Sequence, residues 1–243
     1  KEVTVNPLAD HGTITGGTSV CVGAVLDLET DGATGGTWTS GNNAVATVDA
    51  TGIVTGVASG TAVISYSVTN GCGTTSATRT VSVNSAPSSG TISGTLAVCQ
   101  SATTTLTSSV AGGVWSSDNT TAATVNSSGV VTGVSGGNAE ISYTVTTGCG
   151  TAVSSAQVTV NPLPSAGTIS GTMVVCATST TALTSSVAGG TWTSSDNAVA
   201  TVDASGVVSG VATGSVHISY AVSNSCGTAV ATAEVTVGVT PAS

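Results

Sequence analysis

Charged residues are scarce in this sequence: they make up 5% of its 243 residues, and only Lys1 and Arg79 are basic. Globular proteins ordinarily carry roughly 25% charged residues. A nucleic-acid-binding protein needs a basic face to displace counterions from phosphates, and two cations cannot form one. The formal net charge of −9 disfavours anionic membrane surfaces as well. No apolar run is long enough to span a membrane. We therefore expect neither nucleic acid as a partner nor direct membrane insertion.

Residues that could perform catalysis are also few. The sequence has only two histidines, His11 and His217. It contains no nucleophile elbow, no phosphate-binding loop before a helix and no pair of histidines at metal-binding spacing. Serine and threonine are abundant, but a hydroxyl nucleophile needs a base that a third group orients. We predict that the protein is not an enzyme and needs no cofactor.

The sequence does contain a threefold internal repeat with a period of about 77 residues. The segment at 37–60 matches the segment at 191–214 at 18 of 24 positions. A fixed period of this size indicates one structural unit copied in tandem. Each copy carries a cysteine, a tryptophan and a second cysteine, which are Cys21, Trp38 and Cys72 in the first, Cys99, Trp115 and Cys149 in the second, and Cys176, Trp192 and Cys226 in the third.

The composition of each repeat predicts an all-β fold. β-branched residues and glycine dominate, and no stretch sustains the 3.6-residue period of a helix. Seven short strands, separated by turn residues every 8–12 positions, are typical of a two-sheet antiparallel sandwich. A unit of this size often needs a covalent staple, which the cysteines can supply. Disulfides persist in oxidising compartments, so we expect an extracellular or cell-surface location.

A motif shared by the three repeats resembles a known family. It reads W-x-S-x-[ND]-x-x-x-A-T-V-[DN]-x-x-G-[IV]-V-[TS]-G-V and is followed by I-S-Y. This motif is similar to the bacterial immunoglobulin-like domain of group 2, which forms the stalks of invasin- and intimin-type adhesins. The resemblance implies tandem Ig-like sandwiches of a bacterial surface protein. It covers Trp38–Val57 with Ile64–Tyr66, Trp115–Val134 with Ile141–Tyr143, and Trp192–Val211 with Ile218–Tyr220.

Proline-containing joints predict the domain boundaries. Proline fixes its own φ and restricts the preceding residue, so short joints of this kind are stiff and favour an end-to-end rod. We expect neighbouring repeats of one long chain, or identical subunits in a fibre, as partners. The predicted segments are residues 1–6 as the last strand of a preceding repeat or a donated strand, 7–84, 85–161 and 162–238 as Ig-like repeats, and 239–243 as a linker.

The cysteine pairing can be argued from Ig-like topology. The second strand of such a unit begins at the end opposite the turn between the sixth and seventh strands. The two cysteines of one repeat would therefore lie about a strand length apart, far beyond the roughly 7 Å between Cα atoms that a disulfide allows. We predict bridges across the joints, with Cys72 and Cys176 pairing outside these repeats. The predicted bridges are Cys21–Cys149 and Cys99–Cys226, and the alternative is pairing within each repeat as Cys21–Cys72, Cys99–Cys149 and Cys176–Cys226.

The aromatic residues are predicted to belong to the cores. Each tryptophan follows a glycine pair on the third strand, and each tyrosine shares a strand face with the isoleucine two positions earlier. An indole between two sheets can bury 150–250 Å². We expect the tyrosine hydroxyls to reach the backbone at a sheet edge. The predicted core residues are Trp38, Trp115, Trp192, Tyr66, Tyr143 and Tyr220.

An acidic cluster in the first repeat is a weak candidate for calcium binding. Asp27, Glu29 and Asp31 alternate along a strand and therefore project to the same side. They resemble the start of a calcium loop, but Trp38 stands where that loop requires a bidentate glutamate. A solvated acidic edge is the other reading of the cluster.

These features together predict a structural role. The favoured function is a stalk or fibre segment of a secreted or surface-attached bacterial protein, stiffened by disulfides and short proline joints. The alternative is an adhesive module that recognises glycan or protein through its Thr-rich surface. Equivalent outward positions hold Val63, Glu140 and His217, and such free variation favours the spacer.

Overall fold

The computed structural model describes residues 1–239. The predicted linker at 239–243 therefore lies outside the described residues, apart from Val239. No helix occurs in the described chain, so none there could cross a membrane. Repeat 1 contains strands β1 Ile14–Gly16, β2 Ser19–Cys21, β3 Val25–Thr30, β4 Thr37–Ser40, β5 Ala46–Val48, β6 Ile53–Gly56, β7 Gly60–Asn70 and β8 Gly73–Asn84.

The same eight strands recur in the other two repeats. Repeat 2 contains β9 Ile92–Gly94, β10 Ala97–Cys99, β11 Thr103–Ser108, β12 Val114–Ser117, β13 Ala123–Val125, β14 Val130–Gly133, β15 Gly137–Thr147 and β16 Gly150–Asn161. Repeat 3 contains β17 Ile169–Gly171, β18 Val174–Cys176, β19 Thr180–Ser185, β20 Thr191–Ser194, β21 Ala200–Val202, β22 Val207–Gly210, β23 Gly214–Asn224 and β24 Gly227–Gly238.

Each repeat is built from two four-stranded sheets. In repeat 1 the strand orders are β1-β3-β6-β5 and β2-β8-β7-β4. Repeats 2 and 3 repeat both orders with their own strands. Two facing sheets with these short strands form an Ig-like β-sandwich, so the predicted all-β class of three tandem Ig-like sandwiches is confirmed.

The prediction of seven strands per repeat was wrong by one strand. The additional strand is the three-residue β2, and its counterparts are β10 and β18. It pairs parallel with the last strand, Cys21 opposite Asn84, whereas the sandwich was expected to be wholly antiparallel. Only its central residue, Val20, is buried. Because three residues are too few to show alternation, the sequence pattern did not reveal this strand.

Each repeat has its own hydrophobic core between its two sheets. One sheet contributes a leucine and a valine, and the other contributes an isoleucine and a valine, because alternate residues of each strand point inward. All twelve side chains are almost fully inaccessible to solvent. They are Leu28, Val54, Ile64 and Val81 in repeat 1, Leu106, Val131, Ile141 and Val158 in repeat 2, and Leu183, Val208, Ile218 and Val235 in repeat 3.

The tyrosines are buried, but the tryptophans are only half-buried. Tyr66, Tyr143 and Tyr220 are each 5% exposed. Trp38 and Trp192 lie opposite Tyr66 and Tyr220 in the strand register, with ring centroids 4.9 Å and 4.6 Å apart. The indoles, including that of Trp115, pack against their cores while part of each ring remains accessible.

The tyrosine hydroxyls bond to backbone at the sheet edge, where they were expected. The Tyr66 hydroxyl accepts a hydrogen bond from Gly36 N–H at 2.9 Å and donates one to the Ala33 carbonyl at 2.8 Å. A side chain at Gly36 would overlap the Tyr66 ring. The second glycine of the pair before each tryptophan therefore makes room for a buried tyrosine. The corresponding bonds in the other repeats join Gly113 to Tyr143 and Gly190 to Tyr220.

An Asx turn follows the short strand β5 and its counterparts. The Asp49 carboxylate accepts hydrogen bonds from the N–H groups of Thr51 and Ile53 at 2.8 and 3.0 Å. Gly52 within this turn has φ +96°, a conformation that favours glycine. Asn126 and Asp203 accept the equivalent backbone bonds in repeats 2 and 3.

Residues 1–6 form no strand in the structure, although the sequence matches the last strand of each repeat. Val3 and Val5 are 84% and 86% exposed. A β-strand needs a partner for its backbone N–H and C=O groups. The segment has no strand pairing in this structure, which explains why its sequence pattern alone did not produce a strand.

Backbone contacts divide the chain into two compact units, and the division passes through repeat 2 rather than between repeats. The first unit comprises residues 1–91, 108–114 and 143–154, and the second comprises the remaining residues. Each unit contains one disulfide.

The Asx turns generate a prediction about acid stability. The hydroxyl of Thr51, together with backbone N–H groups, holds the pKa of Asp49 below its ordinary value. The pKa of Asp203 is lowered as well, mainly by the hydrogen bond from the Val207 N–H. A lowered folded-state pKa gives stability that is present above the ordinary pKa of about 3.9 and is lost as the pH falls through the folded-state value. The Asp49→Asn/Asp203→Asn double variant, which copies Asn126, should lose less thermal stability than the wild type between pH 5 and pH 2. Melting curves across that range measure this difference, and equal losses would contradict it.

The aromatic pairs generate a second prediction. Trp192→Ala should destabilise repeat 3 by about 3 kcal/mol, the low end for a tryptophan truncation, because the indole is only half-buried. Val230→Ala, at an exposed valine of the same repeat, should change stability by no more than about 0.5 kcal/mol. Hydrogen exchange of the Ile218 amide reports on repeat 3 directly. A Trp192→Ala effect as small as that of Val230→Ala would rule out the packing role.

Candidate functional site: the disulfide-linked joints

The first joint is centred on the backbone of Asn84 at the end of β8. The parallel pairing of β2 with β8 places Cys21 opposite Asn84, and Val22 N–H donates to the Asn84 carbonyl at 2.9 Å. Cys149 approaches the same carbonyl from the hairpin turn between β15 and β16, with its Sγ 3.6 Å from the oxygen. Cys21 and Cys149 are joined by a disulfide with 5.5 Å between their Cα atoms.

The second joint has the same geometry. Cys99 lies opposite Asn161 in the parallel pairing of β10 with β16, and Gln100 N–H donates to the Asn161 carbonyl at 2.9 Å. The Sγ atom of Cys226 lies 3.6 Å from that carbonyl oxygen. Cys99 and Cys226 form a disulfide, again with 5.5 Å between Cα atoms.

The disulfides of the structure thus join the first cysteine of one repeat to the second cysteine of the next. The length of the last strand explains why the alternative pairing within a repeat does not occur. Cys72 immediately precedes the twelve-residue strand β8, whereas Cys21 lies beside its last residue, Asn84. Twelve residues at about 3.3 Å each separate those two ends by about 40 Å, well over the roughly 7 Å limit for a disulfide.

Cys72 and Cys176 are free thiols in the structure. Cys72 lies in the exposed turn between β7 and β8, where its thiol donates to the Asn6 carbonyl at 3.2 Å. Cys176 ends β18, opposite Gly238 of β24, and is half-buried. Their pairing outside these repeats stays a prediction.

The acidic cluster of repeat 1 does not form a calcium site. Asp27, Glu29 and Asp31 are exposed, and no group of three or more His, Cys, Asp or Glu side chains between residues 1 and 239 is placed to hold a metal ion. The Asp31 carboxylate instead accepts a hydrogen bond from Thr13 N–H at 2.6 Å. Ser109 and Ser186 accept the same backbone bond in the other repeats. Asp31 therefore replaces a serine hydroxyl that closes the loop before the first strand.

Arg79 has a structural role that the sequence did not reveal. Its guanidinium donates to the carbonyl groups of Ile14, Gly16 and Gly17, and so it links β8 to β1 of the opposite sheet and to the residue that follows β1. In repeats 2 and 3 a threonine hydroxyl donates to the carbonyl that corresponds to Gly17, as Thr104 does to Thr95. Repeat 1 has Leu26 at that threonine's position, so Arg79 supplies a bond that leucine cannot make.

The histidines and the variable outward positions remain on the surface. Val63, Glu140 and His217 occupy equivalent places on β7, β15 and β23, and all three side chains are exposed. His11 is half-buried, and its carbonyl accepts a hydrogen bond from Thr30 at 3.0 Å. The equivalent bond joins Ser108 to the Ser89 carbonyl, so the backbone rather than the imidazole has the recurring role.

The chain belongs to the family of bacterial Ig-like domains of group 2. The model of that family matches residues 2–81, 81–155 and 154–235 and so covers nearly the whole sequence. No curated protein matches the sequence.

Several solved structures are similar to this chain at low sequence identity. The titin I-band fragment I67–I69 aligns over 97% of this chain and 100% of its own length, with a TM-score of 0.50 and 12% identity. Invasin, a bacterial integrin-binding protein, aligns over 93% of this chain and 58% of its own length, with a TM-score of 0.40 and 15% identity. Domains 1–6 of the surface-layer protein SbsC give a TM-score of 0.31 and 16% identity, over 95% of this chain and 40% of theirs. At 12% identity the likeness to the titin fragment concerns the fold alone.

Non-reducing peptide mapping tests the joints directly. We expect peptides that contain Cys21–Cys149 and Cys99–Cys226 from purified, oxidised protein. In a Cys149→Ser variant, Cys21 should become reactive toward a thiol probe while Cys99–Cys226 is retained, because the two bridges share no cysteine. A Cys99–Cys149 peptide from the wild type would show that the bridges form within repeats.

Proposed function

We propose that this chain is a load-bearing spacer segment of a secreted or surface-attached bacterial protein. Its membership of the group 2 bacterial Ig-like family supports a surface or stalk module. The observation that carries the proposal is the pair of disulfides that close long loops across the joints, with sequence separations of 128 and 127 residues.

Such bridges oppose extension in two ways. A loop of this length loses denatured-state entropy worth about 5 kcal/mol in the chain-entropy model. Each bridge also provides a covalent route for tension that bypasses most of the chain. In the oxidised protein, tension applied between Cys21 and Cys226 passes from Cys149 back to Cys99 and can extend only the 50 residues between those two cysteines. Reduction would release all 205 residues between Cys21 and Cys226.

The exposed surface fits a spacer better than a ligand-binding module. Equivalent outward positions hold an aliphatic, an acidic and an imidazole side chain at Val63, Glu140 and His217. A binding surface repeated in each unit would need similar chemistry at these places. Disulfides that persist under load also require an oxidising compartment, which supports a location outside the cytoplasm.

Single-molecule stretching tests the load-bearing role. Because the bridges lock about 155 residues between Cys21 and Cys226, the fully unfolded oxidised chain should be about 500 Å shorter than the reduced chain, at roughly 3.5 Å per residue. The Cys21→Ser/Cys99→Ser variant should extend like the reduced wild type under either condition. Equal contour lengths for oxidised and reduced wild type would refute the proposal. Antibody labelling of intact, unpermeabilised cells tests the surface location separately.

A further inference from the structure

The two free cysteines are the two unmatched halves of the same joint. At each complete joint, the first cysteine of one repeat meets the second cysteine of the following repeat. Cys176 is a first cysteine, and Cys72 is a second cysteine. We call each free cysteine, together with the residues around it, a half-joint. Each chain has one half-joint at Cys72 of repeat 1 and a complementary one at Cys176 of repeat 3.

The half-joint at Cys72 keeps most of the surroundings of a complete joint. A cleft of about 400 Å³ is lined there by Asn6, Pro7, Leu8, Asn70, Gly71 and Cys72. The cleft at the first complete joint has a similar volume and the corresponding residues Asn84, Thr147, Gly148 and Cys149. It is lined in addition by Ser19, Val20 and Cys21 of β2. The Cys72 cleft thus lacks the three-residue strand that carries a first cysteine.

Asn6 marks where that strand would lie. Its carbonyl is 3.2 Å from the Cys72 Sγ atom, as the Asn84 carbonyl is 3.6 Å from that of Cys149. At the complete joint, β2 pairs parallel with the three residues that end at Asn84. A short strand with a first cysteine should therefore pair with the three residues that end at Asn6.

The half-joint at Cys176 has its short strand in place. Here β18 pairs parallel with Thr236, Val237 and Gly238 at the end of β24, and Ala177 N–H donates to the Gly238 carbonyl at 3.0 Å. A strand segment in the place of 233–238 therefore presents its sixth residue beside Cys176. If Lys1–Asn6 occupied that place, Asn6 would lie beside Cys176. Since the Cys72 thiol contacts the Asn6 carbonyl, Cys72 would then lie close to Cys176.

Residues 1–6 are a copy of that segment. Residues 2–5 and 234–237 share the sequence Glu-Val-Thr-Val. Val235 and Val237 are 0% and 2% exposed in the core of repeat 3, whereas Val3 and Val5 are 84% and 86% exposed. The alternation of side chains in the two segments is the same, so the copy fits the groove in the same register without a slip.

We infer that two copies of this chain join head to tail: Lys1–Asn6 of one copy replaces Ala233–Gly238 in repeat 3 of a second copy, and a Cys72–Cys176 disulfide locks the joint. The inference rests on the joint geometry behind the proposed spacer and adds a means of lengthening it. A second copy is the occupant because this chain itself carries the matching strand and both cysteines.

The disulfide is what stabilises the exchanged arrangement. Burial of Val3 and Val5 is offset by release of Val235 and Val237, because the exchanged segments have the same four central residues. The covalent step requires a low-molecular-weight disulfide as the oxidant, such as oxidised glutathione. One thiolate attacks it and forms a mixed disulfide with release of one thiol. The thiolate of the other cysteine then displaces the second thiol, so one small disulfide is reduced to two thiols as the Cys72–Cys176 bond forms.

Complementary cysteine variants test the polarity of the joint. Cys72→Ser retains only the Cys176 thiol, and Cys176→Ser retains only the Cys72 thiol, so neither variant alone should form covalent dimers with oxidised glutathione. Their mixture should yield a dimer at least tenfold above either variant alone, and its non-reduced digest should contain a Cys72–Cys176 peptide. Homodimers through two Cys72 or two Cys176 residues, or no dimer from the mixture, would overturn the inference.

A second pair of variants tests the strand replacement. Val3→Asp/Val5→Asp in the Cys176→Ser chain places two carboxylates where the buried valines would lie, and it should lower dimer yield by at least tenfold. The matched control is Val114→Asp/Val153→Asp, which adds the same charge at two exposed valines and should change the yield by less than twofold. An equal yield from both would overturn the strand replacement.

Hydrogen exchange on the joined dimer provides a readout that does not depend on yield. The amides of Val3 and Val5 in one copy should become protected, while those of Val235 and Val237 in the partner copy become exposed. Retained protection at Val235 and Val237 would overturn the replacement. Failure of any of these three experiments would leave the Cys21–Cys149 and Cys99–Cys226 bridges, and with them the proposed spacer, unaffected.

Discussion

The parallel pairing between a three-residue strand and the end of the last strand is the interaction on which the joints depend. It holds Cys21 beside Asn84 at the point where the chain leaves repeat 1. At that point it is within disulfide distance of Cys149, in the turn between β15 and β16 of the following repeat. The two-residue hairpin turn supplies the other half of the joint, because it projects the second cysteine beyond the ends of two long strands. The disulfide pattern is thus a consequence of strand order.

Much of this architecture could be predicted from the sequence because it depends on short-range patterns. The 77-residue period, the strand alternation and the Ig-like motif together specify tandem sandwiches. The cysteine spacing then restricts the bridges, since the two cysteines of a repeat lie at opposite ends of a twelve-residue strand. An argument from topology therefore favoured the inter-repeat pairing that the structure has.

The features that the sequence did not reveal are those that long-range pairing decides. The strand β2 is too short to show alternation, and it exists because the end of β8 lies beside it. The Val-Thr-Val pattern of residues 3–5 is as clear as that of 235–237, yet only the latter forms a strand. Pattern describes what a segment can form, and the presence of a partner strand determines whether it forms. The role of Asp31 was not visible in the sequence for a related reason, because its carboxylate bonds to the backbone of Thr13, 18 positions away.

The hydrogen-bonding pattern explains why the chain needs so few charged residues. Loops and turns in these repeats are closed mainly by serine and threonine hydroxyls that bond to nearby backbone groups, such as Ser40, Ser117 and Ser194 at equivalent positions. Where repeat 1 departs from this scheme, Asp31 and Arg79 supply the missing bonds. At these two positions a charged group therefore supplies a bond that a hydroxyl makes in the other repeats. Since hydroxyl bonds do not titrate, the loops closed by serine and threonine keep their bonds over a wide pH range, whereas the turns closed by Asp49 and Asp203 depend on pH and the covalent joints depend on redox conditions.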